Sequence, residues 1–487
     1  MGNRQPCDPG YVEGWVETCV MKPIAVIGAG LAGLTAAAEL KRQGLPVIVF
    51  EAGKAIGGLA ASFKDKDGFS YDFGAHFISN RLAGALGAAE TCRTVKHYGE
   101  AVLLDGRYRN YPLGLLFDTQ LVASAVKAKL NPAGTSETAA EFFRASYGSA
   151  LAEKVAIPLA EAWSGVAANQ LAPSVGQKFG AGIVKSIYLN VASRLTGRAV
   201  CNGYSHEMPE SARVYHVYPE AGLGKLLEPT VMALQSCIRM ESSVERVIVR
   251  NGHIDAVRVK GEEISVSAAI STAPVNVLPK IIEGTDALNH LTAFRYRPMV
   301  FVNLRFAGRH ILPDTMLWVP DRTQRFFRVT EAPVSMPWLA PQGKTLLTYD
   351  LGCEVGDDIW QMSEEDLADL CLEGSCRIFG EALRKDYLGP GGTLRTPIAY
   401  PVFMSSYEAD RKRFAESTGV EGLYSIGRHG EFAHILMEDI YWRTLRRMRD
   451  VANYVRSSGP RGGKVEPAAE ADTALGLRSV LDRAVTG

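Results

Sequence analysis

The chain has 487 residues, enough for about two to four domains' worth of structure. It is 47% hydrophobic and 22% charged, so it can build a large core, and disordered, collagen-like and coiled-coil readings fall away. Lys plus Arg total 53 and Asp plus Glu total 53, so the formal net charge is zero and the broad positive field of a nucleic-acid binder is missing.

Residues 1–20 carry Asp8, Glu13 and Glu17 and no apolar h-region, which excludes a secretory signal. They read as a tail, with Met21 as a candidate natural initiator. The cysteines, Cys7, Cys19, Cys92, Cys201, Cys237, Cys353, Cys371 and Cys376, form no CxxC pair and no zinc-type spacing. They read as reduced thiols, and no metal is expected. No apolar run approaches the ~18–20 residues of a bilayer span. The expectation is a cytoplasmic protein that does not insert in a membrane.

Lys22-Pro23-Ile24-Ala25-Val26-Ile27 has the pattern of a buried strand, and Gly28-Ala29-Gly30-Leu31-Ala32-Gly33 follows it directly. A helix over Leu34 to Gly44 and a strand over Pro46 to Phe50 come next, and that strand ends in Glu51. This is the GxGxxG fingerprint in its full setting. Gly28 permits the tight turn, Gly30 lets a pyrophosphate approach the backbone, and Gly33 allows close helix–strand packing; the helix N-terminus attracts the phosphate charge. Glu51 is placed to accept hydrogen bonds from ribose hydroxyls, and its charge disfavours a 2′-phosphate. NAD or FAD is therefore expected in preference to NADP.

Further along, residues 114–200 read as mainly helical, with a helical patch from Thr138 to Tyr147 and an amphipathic stretch from Leu113 to Leu130 expected to bury its apolar face in the helical segment, with membrane contact as the alternative. Segments 244–270 and 296–306 read as strands, with turns at Asn251-Gly252 and Lys260-Gly261. Helices are expected from about Glu364 to Tyr387 and from Met437 to about Val455. Residues 457–463 read as a linker, and Leu477, Val480, Leu481 and Ala484 fall at the spacing of a short amphipathic helix.

After Glu51 comes Ala52-Gly53-Lys54-Ala55-Ile56-Gly57-Gly58. Here the chain resembles the FAD-dependent superfamily of amine oxidases, protoporphyrinogen oxidases, carotenoid-type desaturases and UDP-galactopyranose mutases. Many members follow the glycine pair with Arg, where this chain has Leu59. Tyr71-Asp72-Phe73-Gly74-Ala75-His76-Phe77-Ile78 resembles the family's flavin-side loop, in which Gly74, Ala75 and His76 would lie against the isoalloxazine. Ser242 to Val247 resembles the strand whose valine, here Val244, contacts adenine. Ile270 to Pro274, with Thr272, resembles the return crossover. Leu423 to Phe432 resembles the last motif, with Gly427-Arg428 at the flavin and a helix opening at Met437 whose N-terminus points to the ring. The resemblance implies FAD and runs from about residue 22 to 456.

The same resemblance implies an α/β fold: a discontinuous Rossmann-type FAD-binding domain with an interleaved mixed α+β substrate domain and a helical insertion. The expected organisation is a tail at 1–21, FAD-binding segments at 22–105, 215–290 and 415–456, a helical insertion at 106–214, a strand-bearing substrate segment at 291–414, and a linker with a C-terminal appendage at 457–487. No Lys occurs in Met299 to Asn303, where amine oxidases proper usually carry one, which disfavours simple amine oxidation. Two chemistries stay open. One is hydride removal from a small organic substrate in the manner of the protoporphyrinogen-oxidase branch, with oxygen or another acceptor reoxidising the flavin. The other is a non-redox mutase acting on a nucleotide sugar, which the Trp163-Ser164-Gly165 helix end and Phe327 to Glu331 echo. His76 is the candidate proton acceptor or donor beside the flavin, with a purely loop-positioning role as the alternative. Arg328 is the candidate holder of a substrate carboxylate or phosphate, with an ion pair as its alternative. Tyr400 and Tyr407 are candidate pocket-lining aromatics, with plain aromatic packing as the favoured alternative. Oligomeric state is left open.

Overall fold

The computed structural model describes residues 21–111, 113–131, 134–178 and 183–458. Cys7, Cys19 and the expected helix around 477–484 lie outside them.

The first βαβ unit forms where the sequence places it: β1 (Ile24–Ile27), α1 (Leu31–Arg42) and β2 (Val47–Phe50). Three later strands, β3 (Ile238–Arg239), β4 (Ala268–Ser271) and β5 (Leu423–Ser425), join them in one parallel sheet ordered β3-β2-β1-β4-β5. The order reverses between β1 and β4, and the crevice beyond the carboxyl ends of strands at such a switch point is where α/β sheets bind ligands. Alternate residues divide the core as a strand's period of two requires. Ile24, Val26, Val49, Ala268 and Ile270 face α1 and the long helix α2 (Met437–Ser458), which contributes Met448, Val451 and Val455. Ala25, Phe50 and Ala269 face the opposite way, toward a β-layer containing Val247, Val249, Val257 and Val259. That layer is a four-stranded sheet whose hairpins turn at Asn251-Gly252 and Lys260-Gly261, all four residues at positive φ.

A seven-stranded sheet forms the second half of the molecule. Its order is Tyr387–Val402, Arg295–Ala307, Lys344–Gly352, Arg328–Thr330, Met316–Trp318, Glu100–Leu104, Arg107–Tyr111. One face is closed by helix Glu364–Phe379, whose Leu367, Cys371 and Leu372 pack on Val302, Val329, Leu347, Tyr349 and Leu351. Helices Thr119–Leu130, Ala139–Tyr147, Ile157–Ser164 and Ile183–Thr196 occupy the middle of the chain. Thr138 and Glu141 form a reciprocal capping box at the start of the second of them.

Several boundaries differ from the sequence reading, α1 among them, which opens at Leu31 in place of Leu34 and ends at Arg42 in place of Gly44. The helix from Glu364 ends at Phe379, because Gly380 takes φ +98°, and Tyr387 already opens a strand. Helix α2 runs past Val455 to Ser458. Residues 100–111 form one hairpin through Asp105-Gly106, both at positive φ in the manner of a type I′ turn, so the expected boundary at 105/106 divides a unit. The strand Glu100–Leu104 belongs by its hydrogen bonds to the seven-stranded sheet, where it pairs with Met316–Trp318.

His216, on the short strand His216–Pro219, is 1% exposed and sits among Tyr204, Tyr98 and Phe77 with ring centroids 4.2, 5.4 and 5.7 Å away. Burial pushes its imidazole down to about 4 from the ordinary 6.5. Unfolded chains therefore take up this proton first, so stability is full above pH 6.5 and falls as pH drops toward 4. The slope is up to about 1.4 kcal/mol per pH unit. His216→Phe is expected to lose less stability than wild type between pH 7 and pH 5, by about 2 kcal/mol in urea unfolding. Equal losses in the two proteins contradict this reading of His216.

Candidate active site

The glycine turn is built by contacts that exclude side chains. A Cβ on Gly33 would lie 2.0 Å from the Gly28 carbonyl oxygen, so only glycine lets α1 approach β1 this closely. Gly28 has φ +101°, and a Cβ there would lie 2.3 Å from Thr272 Oγ1, which itself donates to the Ile27 carbonyl at 2.8 Å. At the end of β5, Gly427 takes φ +79°, and a Cβ on it would come within 2.7 Å of the Ala32 Cβ. Gly30 is different: a Cβ there meets nothing nearer than Gly57 O at 3.8 Å. The second glycine motif closes over the first through a Gly30–Gly57 bridge, with Gly57 N–H donating to Ala29 O at 3.1 Å and Leu59 following Gly58 in a short 3-10 turn.

Glu51 accepts the Ala29 N–H at Oε2 and the Gly53 N–H at Oε1, both at 2.8 Å. It thus holds the glycine turn against the end of β2, next to exposed Ala52. A carboxylate has about four acceptor directions, so two remain for hydroxyl donors. Val244 lies beside this corner, where Ser242 N–H donates to Glu51 O at 2.8 Å. Gly28, Gly30, Leu31, Ala32, Gly33, Glu51, Gly57, Gly58, Thr272 and Gly427 therefore come together at the carboxyl ends of β1, β2, β4 and β5. The cradle of glycines and helix N-terminal amides fits a pyrophosphate. The first turn of α2, expected to aim its positive end at the ring, carries two buried carboxylates. Glu438 pairs with Arg81, and Asp439 accepts from Ser205 Oγ and the His206 N–H.

The loop with Gly74, Ala75 and His76 joins this cradle to the seven-stranded sheet. Paired residues across that sheet form the row Arg109, Val102, Trp318, Arg328, Asp350, Phe301, whose side chains share one face. Gly74 lies on that face: at φ +79°, a Cβ would meet Phe301 Cε1 at 2.9 Å and Arg328 Nη2 at 3.3 Å. His76 Nδ1 stands 3.6 Å from Asp72 Oδ2, too far for a hydrogen bond, and is buried without a hydrogen-bond partner. Asp72 instead accepts from Tyr218 Oη at 2.7 Å and Ser62 Oγ at 2.5 Å.

Arg328 pairs through Nη2 with Asp350, which is fully buried, and lies over the Trp318 ring at 5.4 Å. Burial opposes its charge, yet Asp350 and the neighbouring Tyr400 and Tyr98 hydroxyls outweigh it and raise the guanidinium pKa. The ion pair named as the alternative for Arg328 is thus present, and Arg328 Nε still has no hydrogen-bond partner. Arg428 lies over the Tyr400 ring at 4.9 Å, its Nε also buried without a partner. Burial lowers its pKa, Tyr400 acts against that, and the positive charge of Arg328 lowers it further. Burial and Arg428 likewise push His429 down to about 3, so that imidazole is neutral. Two guanidiniums thus converge on Tyr400 with Asp350 as the fully buried counter-charge.

His434 completes this wall, its ring 5.6 Å from Tyr400, 5.2 Å from Phe403 and 6.2 Å from Trp163. Tyr407, in contrast, stacks on Phe294 at 4.6 Å inside the apolar core, so it is a packing residue and not part of the wall. The sequence reading missed Asp350, Tyr98, Glu100, Trp318 and His434 as site residues. Asp350 left a signal: it is the lone acid in the apolar strand Leu346-Leu347-Thr348-Tyr349-Asp350-Leu351, the pattern of a buried ion pair.

A parallel sheet with a glycine cradle at its switch point, closed by a second sheet carrying a cationic aromatic wall, defines a dinucleotide-binding flavoprotein. Residues 31–439 match the family described as flavin containing amine oxidoreductase. The chain belongs to that family, and its cofactor by family is FAD. Its curated relatives align over short stretches. A 4,4'-diapophytoene desaturase of Staphylococcus haemolyticus is 51% identical over 51 residues, 10% of each chain. A flavin-containing monooxygenase of Arabidopsis thaliana is 49% identical over 58 residues, 12% of this chain and 13% of the other. The aligned stretch is thus about a tenth of each relative.

Solved structures share the fold over most of the chain. Reduced UDP-galactopyranose mutase has a TM-score of 0.73 at 17% identity, covering 89% of this chain and 94% of that one. A putative protoporphyrinogen oxidase from Exiguobacterium has 0.66 at 18%, covering 89% and 99%. Putrescine oxidase bound to putrescine has 0.61 at 14%, also covering 89% and 99%. Among the described residues, no helix is long and apolar enough to cross a membrane.

Proposed function

We propose that the protein removes a hydride from a small anionic organic molecule, in the manner of the protoporphyrinogen-oxidase branch. The observation that carries this is the pair of guanidiniums, Arg328 and Arg428, beside Tyr400 and next to the His76 loop, with an uncapped nitrogen on each. A buried guanidinium with an uncapped N–H recruits an oxyanion, and its fork matches carboxylate or phosphate geometry. FAD, when bound, supplies the redox chemistry by accepting hydride at N5. It would be held by Gly28, Gly30, Leu31, Ala32, Gly33, Glu51, Ala52, Gly57, Gly58, Leu59, Val244 and Thr272 at the dinucleotide end. Gly74, Ala75, His76, Gly427, Arg428 and Met437 would lie at the ring end.

The segments 22–105, 215–290 and 415–456 would supply the cofactor domain, with Glu100–Leu104 transferred to the substrate sheet. The chain's own part in the reaction is positional. Arg328 fixes the substrate's anionic group, Tyr400 and His434 exclude water from one side, and the His76 imidazole takes or returns a proton. A mutase acting on a nucleotide sugar is the second reading, supported by the TM-score of 0.73 to that fold.

Anaerobic mixing with candidate substrates separates the two. Hydride removal bleaches the flavin band and oxygen or a dye restores it, whereas a mutase starts from reduced flavin and consumes no reducing equivalents. His76→Ala, with FAD retained, is expected to lose most of the flavin-reduction rate, about 10²-fold or more for an acid–base group. An unchanged rate assigns His76 to the loop alone.

A further inference from the structure

Glu100 stands on the same face of the seven-stranded sheet as Arg328, two residues along its strand from Val102, which belongs to the Arg328 row. Each carboxylate oxygen takes one donor. Oε1 accepts the Tyr98 hydroxyl at 2.5 Å, and Oε2 accepts Trp318 Nε1–H at 2.6 Å. An ionised carboxylate as the acceptor makes both bonds charge-assisted. The two donors lead to opposite sides of the site. The Trp318 ring lies under the Arg328 guanidinium, and the Tyr98 ring packs 4.5 Å from Phe77, the residue after His76.

We infer that Glu100 is a positioning residue: by clamping Trp318 and Tyr98 it holds Arg328 in the orientation that receives the substrate's anionic group. This rests on the oxyanion reading of Arg328 and Arg428 above. Asp350 restrains one end of the Arg328 guanidinium through Nη2, and the indole plane restrains its tilt. An indole has one polar atom and it is only a donor, so no neighbour but an acceptor can hold that plane by hydrogen bonding. Burial and the charge of Glu100 raise the Tyr98 pKa well above its ordinary range, which keeps that hydroxyl a donor to the carboxylate.

The test uses FAD-loaded protein and inorganic phosphate as probe, followed by perturbation of the flavin absorbance and by flavin content. Glu100→Ala is expected to weaken phosphate binding about tenfold, with flavin content unchanged. Glu100→Gln, which offers an oxygen to the indole N–H and an NH₂ to the Tyr98 oxygen, should stay within about twofold of wild type. Trp318→Phe keeps a smaller aromatic face but removes the N–H donor, so it should match Glu100→Ala and serves if that variant fails to fold. Arg328→Met separates the two ideas. If it leaves phosphate binding intact, or if wild type shows none, the oxyanion reading falls and this inference with it. If Arg328→Met weakens binding while Glu100→Ala or Trp318→Phe does not, Glu100 does not position Arg328. Loss of binding in Glu100→Gln equal to that in Glu100→Ala also overturns it.

Discussion

Gly33→Ala is expected to give protein that neither packs normally nor retains flavin, whereas Gly30→Ala folds and loses only the cofactor. The two glycines sit in the same turn, but the space around them differs. A methyl on Gly33 would stand 2.0 Å from the Gly28 carbonyl oxygen, a backbone atom that cannot swing aside, so α1 would have to move off β1. Overpacking of this kind costs about 1–3 kcal/mol and more where backbone is the obstacle. The same movement opens the Ala32–Gly427 and Gly28–Thr272 approaches. A methyl on Gly30 has 3.8 Å to its nearest neighbour, and the residue's φ of −79° is ordinary for alanine. Its only conflict is with a pyrophosphate lying on the helix N-terminus. FAD affinity should fall at least about tenfold while the melting temperature of flavin-free protein stays put. Thermal scans of apo and loaded protein, with flavin quantified by absorbance, separate these outcomes. A fully loaded Gly30→Ala protein would show that the phosphates do not pass there.

Asp350→Asn is the second large effect. Asp350 is 0% exposed and the Arg328 side chain 11%, with the Arg428 guanidinium close by over Tyr400. Taking away the carboxylate leaves Arg328 and Arg428 repelling each other in a medium that screens them poorly. Breaking one side of a buried pair typically costs about 3–5 kcal/mol. The double variant Arg328→Met with Asp350→Leu should recover most of that stability, because an apolar pair avoids the desolvation cost, yet it should not recover substrate binding. Urea unfolding at low salt measures both. Sulfate should restore part of the loss in Asp350→Asn beyond its general effect on wild type, by supplying a counter-charge. A loss under about 1 kcal/mol would mean that water reaches the pair and screens it.

Much of the nucleotide end is legible along the chain because its determinants are local. Gly28, Gly30, Gly33 and Glu51 fall within one βαβ unit, and each role follows from a turn, a close approach or a helix end. The Asn251-Gly252 and Lys260-Gly261 hairpins are legible for the same reason. Asp105-Gly106 carries an equal signal and shows the limit of segment boundaries drawn by composition, since a hairpin turn binds its two strands more firmly than a change in residue usage separates them. The cationic wall is another matter. Tyr98, Glu100, Trp318, Arg328, Asp350, Tyr400, Arg428 and His434 come from well separated stretches, and strand register sets the shared face of Glu100, Trp318, Arg328 and Asp350. Arg328 read alone is equally a substrate clamp or an ion-pair partner; the register Arg328–Asp350 makes it the second without removing the first.

What the amino-acid sequence by itself determined is the cofactor-binding half: the turn that needs glycine, the strand-end acid that holds it, and the motif order that identifies a flavin fold. Backbone sterics and helix-end electrostatics act over a few residues, so they are written where they act. What only the tertiary structure decided is the chemistry facing that cofactor. Cross-strand pairing aligns Trp318, Arg328 and Asp350 in one row, and the turn after β5 lays Arg428 over Tyr400. Burial then turns ordinary side chains into a cationic wall, because charges removed from water interact with whatever the fold places beside them.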